Sequence, residues 1–286
     1  MKLSRIAPYL FVLLWSTGFV GAKYGLPYAD PFIFLSLRVL IAALILFAVA
    51  SLMRTPVAIG RRDIGNSALI GFFLHACYLG GVFFAISVGL SAGVAAVVTS
   101  LQPVLVSLLG VKILGERLKK RQVVGLIFGL VGVILVLSPG FSSTLPIPGV
   151  VAITIALLGT TCATLLQKRF GSNVPILAGT AYQYLASGAV LFIAAMTTGG
   201  TSIKWSGQFI LAFIWLILVL SVGAVLLLLW LLNQGSAASV SSLFYLVPPA
   251  TALEAYFLFG ENLGIQGLIG IGITAAGVWL VIKTSN

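Results

Sequence analysis

Charge is scarce in this sequence. Only 7% of its 286 residues are Asp, Glu, Lys or Arg, where a soluble domain carries about 25%. One histidine and two cysteines complete the reactive side chains. Each scarcity excludes something. With a single His and so few acids, a metal site would rest almost wholly on weak ligands. Cys77 and Cys162 lie inside apolar runs, offer neither CxxC spacing nor a disulfide framework, and read as small packing residues. HExxH and paired DxxD motifs are missing. A membrane-embedded enzyme would need a clustered acid, His or Cys site, so enzymatic activity is not expected. No cofactor or metal is expected either.

Apolar residues fill the chain instead. They make up 60% of it, and the mean hydropathy is +1.19. No water-soluble fold of this length could bury so much apolar surface. The expected class is an all-α polytopic membrane protein. About 20 residues of helix span a bilayer core of about 30 Å, and polar or turn-rich breaks leave ten such runs. They are 6–25, 31–52, 64–86, 90–112, 121–138, 149–167, 175–197, 208–232, 236–258 and 264–283. Lys2 and Arg5 ahead of an apolar stretch would also suit a signal peptide. That stretch runs into Gly18–Phe19–Val20–Gly21–Ala22–Lys23 without a convincing cleavage site, so a retained first span is expected.

The net charge of +11 would point to nucleic acid in a soluble chain. Here the basic residues sit at the ends of apolar runs, so the lipid bilayer is the expected partner and nucleic acid is not. With the N-terminus cytoplasmic, thirteen basic residues face inside: Lys2, Arg5, Arg54, Arg61, Arg62, Lys112, Arg117, Lys119, Lys120, Arg121, Lys168, Arg169 and Lys283. Only Lys23 and Lys204 face outside, and Arg38 lies within a span. This bias sets both termini in the cytoplasm. Short loops fit a bacterial inner membrane.

The sequence repeats itself. GERL at 115–118 and GENL at 260–263 stand 145 residues apart, and they hold two of the chain's three glutamates, Glu116 and Glu261. The same offset pairs Ser91 with Ser236, Ala92 with Ala237, Pro103 with Pro248, Gly125 with Gly270 and Gly132 with Gly277. Each copy holds five spans, an odd number, so the second enters the membrane from the opposite side. The expected domains are residues 1–140 and 149–286, two inverted five-helix repeats. Inverted repeats recur in secondary transporters, because one packing arrangement then serves both the inward-open and the outward-open state.

LLWSTGFVGAKYG, FLSLRVLIAAL and SAGVAAVVTSLQPVLVSLLGVKILGERL in the first copy, with SAASVSSLFYLVPPATALEAYFLFGENL in the second, resemble the EamA-type transporters of the drug/metabolite transporter superfamily. The resemblance covers essentially the whole chain. It implies a ten-helix carrier with a central cavity and alternating access, moving amino acids, other metabolites or drug-like molecules, often outward. Members often carry Ser or Thr shortly after the Gly-Glu, capping the fifth helix, where this chain has Lys119. Glu116 is then expected to compensate the N–H groups of that helix.

Several polar groups inside the spans are candidate cavity residues. Pro103 and Pro248–Pro249 fall about halfway along the fourth and ninth spans, where proline kinks a helix and frees carbonyls. Around them lie Thr99, Gln102, Ser241, Ser242 and Tyr245. His75 and Tyr78 share a face of the third span. Trp15 and Ser16 come from the first, Thr160 and Thr161 from the sixth, Tyr182 and Gln183 from the seventh. Such a lining suits a zwitterionic or mildly polar organic solute. GLIFGLVG (125–132) and GIQGLIGIG (264–272) read as small faces for close helix packing, not as phosphate loops.

Arg38, with Gln183 at its repeat position, is a guanidinium in a greasy span. Two readings stand. It pairs with Glu254 as an outer gate, or it bonds carbonyls and snorkels outward. Glu254 carries a coupling proton, holds a cationic group, or reaches the interface, and His75 is a candidate proton site. The expected function is export of amino acids or related metabolites by a carrier for which a monomer suffices. Uptake of a vitamin or another metabolite is the near alternative, and a non-transporting scaffold the distant one.

Overall fold

The computed structural model describes residues 2–90, 95, 98–137, 146–259 and 264–285. Glu261, Ser91 and Ala92 of the repeat lie outside the described residues. Backbone polar groups in hydrocarbon must be satisfied within the segment, and the described chain is accordingly helical. The helices are α1 (Lys2–Gly25), α2 (Pro31–Leu52), α3 (Arg61–Ser87), α4 (Gln102–Ile113), α5 (Lys120–Leu137), α6 (Ile147–Phe170), α7 (Ile176–Thr198) and α8 (Gly207–Gln234). After them come α9 (Ala237–Ser242), α10 (Val247–Phe259) and α11 (Gly264–Ser285). Among the described residues, six helices are long and apolar enough to cross a membrane, and shorter apolar stretches cover Ile6–Gly18 and Gln102–Ile113.

Local chemistry sets the helix ends. Pro31 opens α2, where its missing N–H costs nothing. The Phe209 N–H donates to Ser206 Oγ at 3.1 Å to cap α8. α7 ends on Gly199 at φ 70°, and the Gly200 N–H closes the turn on Ala195 O at 3.1 Å. Only glycine takes that left-handed conformation cheaply.

Helices 145 residues apart pack on one another: α2 lies against α7, and α5 against α11. The contact of α1 on α8 also has its repeat equivalent in that of α6 on α3. The α5–α11 seam is built from the glycines. A Cβ on Gly125 would stand 2.6 Å from Gly277 O, and one on Gly132 would stand 2.7 Å from Gly270 O. Without a hydrophobic force between helices in lipid, such backbone contact is what drives association. Ser36 Oγ adds a bond to Gly188 O at 2.9 Å between α2 and α7.

Two helices are not α-helical throughout. α3 widens to a π-helix over Phe72–Leu79, and α8 over Leu216–Ala224. The two stretches correspond at the 145-residue offset. Such segments are rare and cluster at functional sites. Gly71 precedes the first, and a Cβ there would stand 2.2 Å from Gln183 O, so α3 and α7 touch through backbone.

Candidate functional site

The expected kinks turn out to be helix starts. The chain turns at Ser100–Leu101 before α4, and a 3-10 turn over Leu243–Leu246 precedes α10. Pro103 and Pro248 each stand second in the new helix, with Pro249 following. At a first turn proline removes no helical hydrogen bond, so the break needs no bent ladder. All three prolines are buried. Gln102, first in α4, joins three segments there. Its Nε2 donates to Thr164 Oγ1 of α6 at 3.1 Å and to Ser241 Oγ of α9 at 3.4 Å. Its Oε1 is buried without a partner.

A chamber lies beside this junction, lined by Trp15, Tyr78, Thr99, Gln102, Phe244 and Pro248 among others. Its free volume, about 20 Å³, is that of a water molecule or so. Phe244 stands edge-on to Trp15, ring centres 5.4 Å apart. A second chamber of about 40 Å³ is lined by Trp15, Tyr78, Arg38, Gly18, Leu220 and Val225 among others. The two share Trp15 and Tyr78, which therefore form the wall between them.

Arg38 is 1% exposed. Its Nε donates to Ser221 Oγ at 2.8 Å, on the π-helical stretch of α8. The Tyr184 hydroxyl donates to Ser221 O at 2.5 Å, and the His75 ring lies 4.6 Å from the Tyr184 ring. Arg38 Nη1 and both His75 nitrogens are buried without partners. The pairing of Arg38 with Glu254 is not formed. Glu254 Oε1 instead accepts from Ser16 Oγ at 2.5 Å, and its Oε2 is buried unpartnered. Each charge has been given a serine hydroxyl on a neighbouring helix.

The wider π turn also separates His75 from Tyr78. Tyr78 lines both chambers, whereas His75 faces Tyr184, so the shared face expected for an α-helix is not kept. Tyr182, Gln183 and Tyr245 line neither chamber. Tyr182 stacks edge-on against Phe47 with ring centres 5.3 Å apart. Gln183 Nε2 donates to Gln167 Oε1 at 3.0 Å and lines a separate small cavity. Tyr245 is fully buried with its ring over Gly129, and its hydroxyl has no partner. Sequence reasoning missed Ser221, Tyr184 and Thr164, because a hydroxyl in an apolar run gives no sign of the partner it will meet.

Glu116 caps a helix, but not the expected one. The amide of Ala237 donates to its Oε1 at 2.8 Å and that of Ala238 to its Oε2 at 3.4 Å, at the start of α9. The other side of that turn is held by Lys168, whose Nζ donates to Leu232 O at 2.9 Å and Gly235 O at 2.5 Å. An anion on helix N–H groups and a cation on terminal carbonyls both match the helix dipole. The start of α5 is served instead by Gln122, whose Oε1 accepts the Lys119 N–H at 2.9 Å. Among the described residues no three His, Cys, Asp or Glu side chains group so as to hold a metal ion.

The sequence profile of the EamA-like transporter family matches residues 6–138 and again residues 147–283. The chain belongs to that family. An uncharacterized inner membrane transporter of Escherichia coli K12, YedA, is 30% identical over 277 residues, spanning 96% of this EamA-family transporter and 89% of that one. The uncharacterized transporter YvbV of Bacillus subtilis is 26% identical over 96% and 90% of the two chains. A probable amino-acid metabolite efflux pump of Salmonella typhimurium is 24% identical over 95% and 92%. A protein of known crystal structure, 21% identical, superposes with a TM-score of 0.83 over 98% of this chain and 96% of that one, so the two share a fold. This is a multi-pass membrane protein.

Proposed function

We propose that this EamA-family transporter is a secondary carrier that exports amino acids or related small metabolites by alternating access. Its working form is ten membrane helices in two inverted five-helix units, residues 1–140 and 149–286, with both termini cytoplasmic. The observation that carries the reading is the Gln102 junction. Two helix starts at equivalent places meet beside small chambers walled by Trp15 and Tyr78. Chambers this small describe an occluded arrangement, and a substrate enters only if the two units move.

Other observations support it. The family profile matches twice, and helices 145 residues apart pack on one another, as an axis between two like units requires. The distribution of basic residues supports the orientation. The name of the Salmonella relative supports amino acids and efflux. The test is counterflow in proteoliposomes loaded with a panel of amino acids. Uptake of labelled amino acid against a loaded partner is expected. Correctly folded protein that moves none of the panel in either direction defeats the proposal.

A further inference from the structure

We infer that the solute bears a single carboxylate, and that Arg38 is the residue that receives it. The inference rests on the carrier reading above and names the chemistry of its cargo.

Arg38 is buried in a membrane helix, and its guanidinium stays charged at accessible pH. An unpaired charge there is expensive, yet its hydrogen bond goes to a neutral hydroxyl, Ser221 Oγ at 2.8 Å. Glu254, the acid expected to pair with it, is held by Ser16 instead. Arg38 Nη1 has no partner, and the residue lines the chamber walled by Trp15 and Tyr78. Bonding Nε to Ser221 fixes the guanidinium plane and leaves Nη1 for a ligand. A planar fork of donors fits a carboxylate through two parallel bonds.

Charge count narrows the ligand further. Among the described residues, Arg38 is the one charged side chain lining this chamber. One guanidinium neutralises one carboxylate. A phosphomonoester carries about −1.5 to −2 at pH 7 and would leave charge uncompensated among apolar walls. Those walls include Val82, Phe83, Leu220 and Val225, which favour a compact apolar or aromatic body behind the carboxylate.

The test is a thermal-shift titration of purified protein in detergent with amino acids, their α-amides and inorganic phosphate. At least one acid is expected to stabilise the wild type at a concentration at least about tenfold below its amide, the effect of one charged hydrogen bond. Phosphate is expected to do nothing. In Arg38→Gln the acid and amide should act within about threefold of each other. If that variant fails to fold, Ser221→Ala serves in its place, and it should weaken the acid and leave the amide unchanged. Equal response to acid and amide in the wild type, or an acid preference that survives Arg38→Gln, overturns the inference. Transport of the amides without acid preference would overturn it while leaving the carrier standing. Transport of nothing by folded protein overturns the carrier itself.

Discussion

Two glycines on α11 have opposite surroundings, and a methyl group on each should act in opposite directions. An ideal Cβ on Gly277 would stand 2.5 Å from Gly129 N and 2.6 Å from Gly125 O, while one on Gly272 meets nothing within 4 Å. Ordinary contact begins near 3.4 Å, so the Gly277 methyl overlaps α5 by roughly 0.8–0.9 Å. The atoms it meets are backbone and cannot rotate aside. The helices must separate, and overpacking of this kind costs about 1–3 kcal/mol. Because separation loosens the whole seam, the upper end applies. Alanine recovers up to about 1 kcal/mol of helix propensity at either site. The net expectation is a loss of about 2 kcal/mol for Gly277→Ala and a gain of up to about 1 kcal/mol for Gly272→Ala. At about 2–4 °C per kcal/mol, their unfolding midpoints in one detergent should differ by roughly 6–12 °C. Gly132→Ala, which would bring a Cβ to 2.6 Å from Thr274 N, should behave like Gly277→Ala. If Gly277→Ala melts with Gly272→Ala, the seam yields and the close-contact argument for α5 and α11 is wrong.

Three further substitutions probe the charges and the junction. Glu116→Ala should destabilise by about 1.5–3 kcal/mol through loss of the charged bonds to the Ala237 and Ala238 amides. Glu116→Gln keeps one acceptor and should lose about half as much, and equal losses would show that the amide contacts are idle. A double-mutant cycle of Arg38→Gln with Glu254→Gln, read by thermal stability, should give a coupling below about 0.5 kcal/mol. A value above about 1 kcal/mol would restore the direct gate. Gln102→Leu unlinks α4, α6 and α9 while filling similar space, and it should slow counterflow by about tenfold or more with the fold retained. A rate within about twofold of wild type would remove Gln102 from the mechanism.

Helix content and close-packed faces were legible because both follow from local chemistry. Hydropathy states where a backbone must satisfy itself, and Gly125, Gly129 and Gly132 recur at spacings that lie on one helix face. The proline positions marked the breaks, although not that each helix would restart with proline in its first turn. The π-helical stretches were not legible. Phe72–Leu79 and Leu216–Ala224 have the apolar composition of any membrane helix, and widening a turn changes which residues share a face without changing hydropathy. The expectation for His75 and Tyr78 failed for that reason. Depth in the bilayer likewise cannot fix azimuth, so Arg38 and Glu254 could be placed at similar depth and still point to different neighbours.

The charges went furthest astray for a single physical reason. Sequence reasoning looks for an opposite charge, yet this chain has so few acids that most buried or half-buried charges meet dipoles. Glu116 holds two amides, Lys168 two carbonyls, Arg38 one hydroxyl and Glu254 another. The first two close a helix turn, and their bonding is complete enough to be structural. The last two are not complete, since Arg38 Nη1 and Glu254 Oε2 are each left buried without a partner. An ion pair between them would have cancelled both charges and left the chamber with little to offer a charged solute. Holding Arg38 by a neutral hydroxyl fixes its direction and keeps its charge. In a carrier that must bind a solute and then release it, a fixed but uncancelled charge beside the chamber is more useful than a closed salt bridge.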